Sequence, residues 1–140
     1  MNIDLKKKGL LGKPSLETVF IDERLPSHIT HAFELKCQYE VELKGDYYLL
    51  KLCEEAMLPI TCLRCSQEFS YHYQQKTELV VCSNEKTAEK YQSLYDVIVA
   101  HDYLIDLKDI LIDNLHLFSP QFHENIESCD ENQLKLMQFD

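Results

Sequence analysis

The chain has 140 residues, of which 45% are apolar and 27% charged, and its net charge is −10. This composition is typical of one folded domain, and we predict a single domain over residues 1–140 with a core at about residues 33–129 and flexible ends. The negative charge repels polyanions and anionic lipid, which argues against DNA and membrane partners and limits any contact with ribosomal RNA to a weak or indirect one.

The N-terminal sequence MNIDLKKKGLLGKPS has no long apolar run that would act as a secretion signal. No stretch approaches the roughly 18 apolar residues that a membrane-spanning helix requires. We therefore expect a cytoplasmic protein. The six cysteines should then remain thiols or metal ligands, because the cytosol is reducing.

Three stretches have the alternating pattern of β-strands. Apolar and polar residues alternate without a break over residues 33–43, and a second β-rich run covers residues 47–60. Gly45 and Asp46 are turn residues, so these two runs are predicted to pair as an antiparallel hairpin. The alternation returns over residues 69–82, which places the sequence PITCLRCSQEF at the turn between two strands.

The remaining pattern is helical. Residues 83–93 are polar and fit a loop or a short surface helix, and residues 95–103 contain one more short apolar run. From Asp106 to Phe118 the apolar residues recur at helical spacing, with Asp106 as the N-cap and Pro120 just beyond the end. The predicted fold class is α+β: an antiparallel sheet, able to curl toward a barrel, with one main C-terminal amphipathic helix.

The sequence lacks the common catalytic motifs. With only three glycines, it has no phosphate loop and no dinucleotide-binding turn, and it also lacks a nucleophile elbow and an H-E-x-x-H helix. We therefore expect a non-enzymatic protein. Asp106, Asp109 and Asp113 follow one edge of the predicted helix and are candidates for binding a basic partner, although a solvated polar face has the same pattern.

Cys62 and Cys65 form a C-x2-C pair with three possible interpretations. A thioredoxin-like redox couple would place the first cysteine at a helix N-terminus, whereas here a strand pattern follows. A tetrahedral zinc site would need two further ligands, for which His123 and Cys129 are the best candidates by residue type. The third interpretation is two partly buried thiols in a tight turn.

Other cysteines and histidines are weaker candidates. His72, Cys82 and His101 are rival ligands for the same ion. Cys37 and Cys53 lie within strand patterns and are predicted to be small core residues.

In combination, these motifs resemble the YceD family of bacterial large ribosomal RNA subunit accumulation proteins. The resemblance rests on the C-x-R-C turn and on the helix IDLKDILIDNLHLFSP. It also rests on the segment FSPQFH at the end of this helix (the exit), which leads to a histidine and a last cysteine. The residues that match are Cys62, Arg64, Cys65, Asp106, Leu107, Ile110, Asp113, Leu115, Leu117, His123 and Cys129. Asn114 stands where the family has a glutamate, and Pro120 stands where two prolines are typical.

The resemblance implies a non-enzymatic factor in ribosome biogenesis, needed for accumulation or processing of large-subunit (23S) ribosomal RNA. We expect an acidic domain of this kind to bind a basic ribosomal protein or another assembly factor through its acidic helix, with Arg64 as a contact at the turn. The alternative is a small zinc-binding or thiol-redox protein unrelated to ribosomes.

Overall fold

The computed structural model describes residues 2–123. Its strands are β1 (Asn2–Asp4), β2 (Ser15–Ile21), β3 (Phe33–Leu43), β4 (Tyr48–Thr61), β5 (Glu68–Cys82), β6 (Asp96–Val99) and β7 (Leu104–Asp106). Its helices are α1 (Leu5–Leu11), α2 (Glu85–Tyr91) and α3 (Leu107–Phe118). The fold class is α+β, as the sequence predicts. The main helix expected is α3, and α2 is the short surface helix that the sequence allowed at residues 83–93, whereas α1 was not predicted.

The main sheet has five strands in the order β2-β3-β4-β5-β6. All neighbours are antiparallel except β5 and β6, which are parallel because α2 lies in the connection between them. Within residues 2–123 the edge strands β2 and β6 do not pair with each other, so the sheet is open and the expected curling does not close it into a barrel. A separate two-stranded sheet joins β1 to β7.

One face of the main sheet is covered by α3 and carries the core. The alternation in β3 buries every second residue, as predicted from the sequence, and α3 contributes its apolar side. The buried residues of α3 are Leu107, Ile110, Leu111, Ile112, Asn114 and Leu115. Asp106 is its N-cap and accepts a hydrogen bond from the backbone N–H of Asp109, as the sequence predicts.

The core extends further toward the N-terminus than residue 33. Ile3, Leu5, Val19 and Ile21 are all buried in the main apolar cluster. The elements that carry them are short, three residues in β1 and seven each in α1 and β2. Such short elements show too few periods for the sequence pattern to identify them, so these N-terminal core residues were not predicted.

The predicted hairpin of β3 and β4 is confirmed, and so is the predicted turn between β4 and β5. Between β3 and β4 the backbone N–H of Lys44 donates to the carbonyl of Tyr47 at 2.9 Å, and Gly45 adopts a left-handed φ of 77°. Between β4 and β5 the C-x-x-C pair lies at the turn. Among the residues that the structure describes, no helix is long and apolar enough to cross a lipid bilayer.

Two neighbouring residues of β4 face opposite to expectation. Cys53 was predicted to be in the core, but it lies on the exposed face of the sheet, whereas Cys37 is buried as predicted. Glu54 occupies the core position instead and is 3% exposed. The run LLKLCEEA is apolar at both parities near its start, so its alternation does not decide which residues point inward.

The buried carboxyl of Glu54 connects the sheet to α3. The side-chain amide of Asn114 donates a hydrogen bond to Glu54 Oε2 at 3.0 Å, while Oε1 has no partner among the described residues. Burial raises the pKa of Glu54 to about 7, and the hydrogen bond from Asn114 offsets only part of this effect. Burial and the nearby Glu54 charge also raise the pKa of Cys37 to about 12.

Glu54 should make the protein less stable as the pH rises from 5 to 8. The folded state holds the Glu54 proton more tightly than the unfolded chain does, so this proton contributes to the free energy of unfolding. The contribution is complete below pH 4.5 and is lost as the pH rises through about 7. The loss amounts to at most about 3 kcal/mol. We expect Glu54→Gln to match the wild type near pH 5 and to exceed it at pH 8, measured as the free energy of unfolding in urea.

Glu78→Gln, at an exposed position of β5, is the control and should follow the wild type at both pH values. If the difference between Glu54→Gln and the wild type does not change with pH, then the carboxyl of Glu54 does not titrate as proposed.

Candidate metal centre

The turn between β4 and β5 places two sulfur atoms side by side. The backbone N–H of Ser66 donates to the carbonyl of Cys62 at 2.8 Å, and that of Cys62 donates to the carbonyl of Gln67 at 3.0 Å. Ser66 itself adopts a left-handed φ of 64°, a conformation that turns the chain sharply after Cys65. The side chains of both cysteines are therefore directed into a small buried cluster, packed only against Phe69 among the partly buried apolar residues described.

His123 reaches these sulfurs from the far end of the described chain. Its Nδ1 atom lies 3.7 Å from Cys65 Sγ, although the two residues are 58 positions apart in sequence. One ligand atom from each of Cys62, Cys65 and His123 lies within 4.8 Å of the others. This is the only such group of cysteine, histidine or acidic residues found among residues 2–123.

Several contacts fix the position of His123. Its ring stacks on Phe69 with the two centroids 4.2 Å apart. The guanidinium of Arg64 donates to the carbonyl oxygen of His123 at 2.5 Å and lies 5.0 Å from the ring centroid of Phe122. The backbone N–H of Leu63 also donates to the carbonyl of Gln121 at 2.9 Å. Three consecutive exit residues are thus attached to the turn.

A buried histidine connects the end of α3 to the corner of the molecule where the β4–β5 turn meets residues 121–123. The hydroxyl of Ser119 donates to the carbonyl of Leu115 and accepts a hydrogen bond from His28 Nε2, with a separation of 2.6 Å. The carbonyl of His28 in turn accepts the backbone N–H of Thr61 at 2.8 Å, next to Cys62. Burial lowers the pKa of His28, and the nearby His116 lowers it further, so the neutral imidazole is favoured at pH 7.

The electrostatic surroundings of Cys62 favour the thiolate. Burial alone would raise the pKa of this thiol, but hydrogen bonds from the backbone N–H groups of His123, Cys65 and Arg64, together with the His123 side chain, lower it to about 5. A sulfur that carries negative charge at pH 7 can bind a metal ion without first losing a proton.

The geometry fits a zinc ion better than a redox couple. A thiolate sulfur about 2.3 Å and an imidazole nitrogen about 2.0–2.1 Å from zinc in a tetrahedron lie roughly 3.6 Å apart, and the distance from Cys65 Sγ to His123 Nδ1 is 3.7 Å. A thioredoxin-like couple needs an accessible thiol at a helix N-terminus, whereas here both sulfurs are buried between two strands. Cys129, the predicted fourth ligand, lies outside the described residues.

The rival ligands lie elsewhere. His72 pairs with Glu55 at 3.3 Å on the exposed face of the sheet. The thiol of Cys82 donates to the carbonyl of Asn84, and His101 Nδ1 lies 2.6 Å from the carbonyl of Ser83. None of the three joins the cluster of Cys62, Cys65 and His123.

The predicted binding residues on α3 differ in their surroundings. Asp106 caps the helix, and Asp109 forms an ion pair with Arg24 in the connection from β2 to β3. Asp113 is exposed. Arg64 is partly buried against residues 121–123, and its Nε atom is shielded and has no hydrogen-bond partner among residues 2–123. The contacts of Arg64 in the described part of the chain are with the chain itself.

Sequence reasoning identified the ligand candidates but missed the residues that position them. Phe69 had a detectable signal, because it is the first aromatic residue after the C-x-x-C pair and alternates with polar neighbours. The pairing of His28 with Ser119 spans 91 positions, and no local pattern indicates a contact at that separation.

Comparisons of the chain with known protein families, with curated proteins and with solved structures found no match. The arguments about function therefore depend on the motifs and on the geometry of this corner.

Proposed function

We propose that the protein is a non-enzymatic ribosome-assembly factor, needed in the cytoplasm for accumulation of large-subunit ribosomal RNA, and that its C-x-R-C corner holds a zinc ion. The observation that carries the proposal is the convergence of Cys62, Cys65 and His123, whose ligand atoms lie within 4.8 Å of one another. A zinc ion bound there would fix the exit of α3 to the end of the β4–β5 hairpin, which is a structural role.

This convergence supports the resemblance to the YceD family because it joins the separate motifs. The C-x-R-C turn, α3 and the histidine of the exit are distant in sequence but meet at one end of the sheet. Arg64, one of the two residues between the cysteines, contacts the exit itself. Motifs that serve a common purpose are expected to lie together, whereas chance matches have no reason to do so.

The proposed partner is a basic ribosomal protein or assembly factor. The net charge of −10 favours association with a cationic surface and opposes contact with bare RNA. Asp113 is exposed on α3, and the exposed apolar residue Leu117 lies one turn further along the same side of the helix. A mixed acidic and apolar surface of this kind suits a basic protein whose lysines and arginines flank apolar side chains.

The first prediction concerns metal content. Purified protein should bind about one zinc ion per chain, and Co²⁺ in its place should show the absorption of a tetrahedral thiolate site. Cys62→Ser, Cys65→Ser and His123→Ala should each weaken binding by more than the 10–100-fold typical of a lost supporting contact. The measurement is competitive titration against a chelator of known affinity.

Matched controls come from the same chain. Cys53→Ser removes an exposed thiol and His72→Ala removes an exposed imidazole, and neither residue lies at the corner. Both variants should bind zinc as the wild type does. Equal zinc affinity in wild type and Cys62→Ser/Cys65→Ser would refute the proposed centre, and Cys129→Ser reports separately on the fourth ligand.

The second prediction concerns Arg64. Arg64→Met removes the donor to the carbonyl of His123 but leaves every candidate ligand in place, so zinc affinity should fall by about 10–100-fold. Arg24→Met removes the other arginine of the chain, whose ion pair with Asp109 is exposed, and should leave the affinity unchanged. If both variants bind zinc equally well, Arg64 does not position His123.

The third prediction tests the ribosomal role. Cells that lack the protein should have a lower ratio of large- to small-subunit ribosomal RNA, and the wild-type gene should restore it. At equal protein levels Cys62→Ser/Cys65→Ser should fail to restore the ratio, whereas Cys53→Ser should succeed. An unchanged ratio in cells without the protein would refute the ribosomal role while leaving the zinc centre intact.

A further inference from the structure

The core of the protein contains shielded polar atoms that the described residues leave without a hydrogen bond. Glu54 Oε1 and the hydroxyl oxygen of Tyr73 have no partner among residues 2–123, and these residues are only 3% and 2% exposed. A third shielded oxygen of this kind, Thr77 Oγ1, belongs to β5 as well. A buried polar atom without a partner destabilises the fold, because it has lost its hydrogen bonds to water and gained none in the protein.

The pairing of β4 with β5 makes Glu54 and Tyr73 neighbours. Glu54 lies opposite Gln75 in this ladder, and Tyr73 lies opposite Ala56. Glu54 and Tyr73 are therefore diagonal neighbours on the inner face of the sheet, with Cβ atoms at most roughly 8 Å apart. Both side chains are long, so their polar ends can approach each other across this separation.

The electrostatics of the core agree with this placement. Burial raises the pKa of Tyr73, and the nearby Glu54 charge raises it further. Because the effect of a charge weakens with distance, the phenol and the carboxyl group lie near each other. Tyr73 from β5 and Cys37 from β3 are the titratable groups that flank Glu54 across the strands. The Tyr73 hydroxyl keeps its proton at neutral pH and can both donate and accept a hydrogen bond.

The space between these two groups has the features of an internal water site. Glu54 Oε1 and the Tyr73 hydroxyl do not bond to each other directly. Ala56, which lies next to Glu54 on the inner face of β4 and opposite Tyr73, contributes only a methyl group there. An internal water requires a polar site with two or more hydrogen-bonding partners, and the carboxyl oxygen and the hydroxyl provide two.

We propose that the core binds a structural water molecule that bridges Glu54 Oε1 and the hydroxyl of Tyr73. The water completes a polar chain that runs from the side-chain amide of Asn114 through the carboxyl of Glu54 to Tyr73. This chain joins α3 to the two longest strands of the sheet. Proteins hold roughly one buried water per 27 residues, so one at this position is in keeping with the size of the chain. The inference is independent of the ribosomal role and of the zinc centre.

The hydrogen bonds balance in both protonation states of Glu54. Because Oε2 accepts from Asn114, the proton of the neutral carboxyl belongs on Oε1 and is donated to the water, which donates in turn to the oxygen of Tyr73. When the carboxyl is ionised, the water donates to Oε1 and accepts from the Tyr73 hydroxyl. A water molecule suits both states because it donates and accepts with equal ease.

The test is a double-mutant cycle of Tyr73→Phe with Glu54→Leu, measured by urea unfolding of the full-length protein. With Glu54 present, Tyr73→Phe should lower the folding equilibrium constant roughly fivefold, because the water loses a partner. With Glu54→Leu, Tyr73→Phe should leave the constant unchanged or raise it, because the bridge is already lost. Tyr48→Phe, at a half-buried position of β4 that packs on Tyr103, is the control and should have the same effect in both backgrounds.

The water itself can be counted by magnetic relaxation dispersion of the water oxygen nucleus, which detects long-lived internal waters. Wild type should hold one such water more than Glu54→Leu/Tyr73→Phe, and Tyr48→Phe should hold as many as the wild type. The sign of the stability change decides as well, because removing a hydroxyl that has no partner stabilises the fold or leaves it unchanged. Equal water counts in wild type and the double variant, or a Tyr73→Phe variant at least as stable as the wild type, would overturn the proposal.

Discussion

The docking of α3 on the sheet is the interaction on which the site depends. Apolar residues along the helix pack on the inner face of the sheet, while Asn114 is hydrogen-bonded to Glu54 and Ser119 to His28. These contacts determine both the rotation of the helix and its position along its axis. A shift of one residue would rotate the exit by 100° and move it by about 1.5 Å. The short distance from Cys65 to His123 therefore requires α3 to pack in a single register.

The sequence was sufficient for the parts of the fold with long, regular periodicity. Eleven alternating residues of β3 and twelve helical residues of α3 give repeated signals, and the turn carrying Cys62 and Cys65 lies between two such elements. The N-terminal elements are too short to repeat their pattern. Glu54 is buried although glutamate is usually exposed, and Asn114 provides its hydrogen-bond partner. No local pattern can indicate a partner 60 positions away. The candidate ligands could be proposed by residue type, but the residues that position them could not.

The acidic residues have more than one role. Asp109 pairs with Arg24, and Asp22 accepts a hydrogen bond from Lys108 at 2.9 Å. Both pairs connect the segment after β2 to the first turns of α3. Exposed pairs of this kind stabilise a fold only weakly, because solvent and salt screen them. Part of the negative charge is thereby used within the protein, and Asp113 remains exposed on α3.

The separation of 58 residues between Cys65 and His123 has a kinetic consequence. The contacts within the β4–β5 hairpin are close in sequence and are expected to form early, whereas the contact of His123 with the turn spans β6, β7 and α3 and is expected to form later. A metal held by all three residues would close a large loop, which adds little to the rate of folding but must be released before the exit can detach. Such an ion would bind last during folding and would have to be released first during unfolding. It would therefore prolong the lifetime of the folded state.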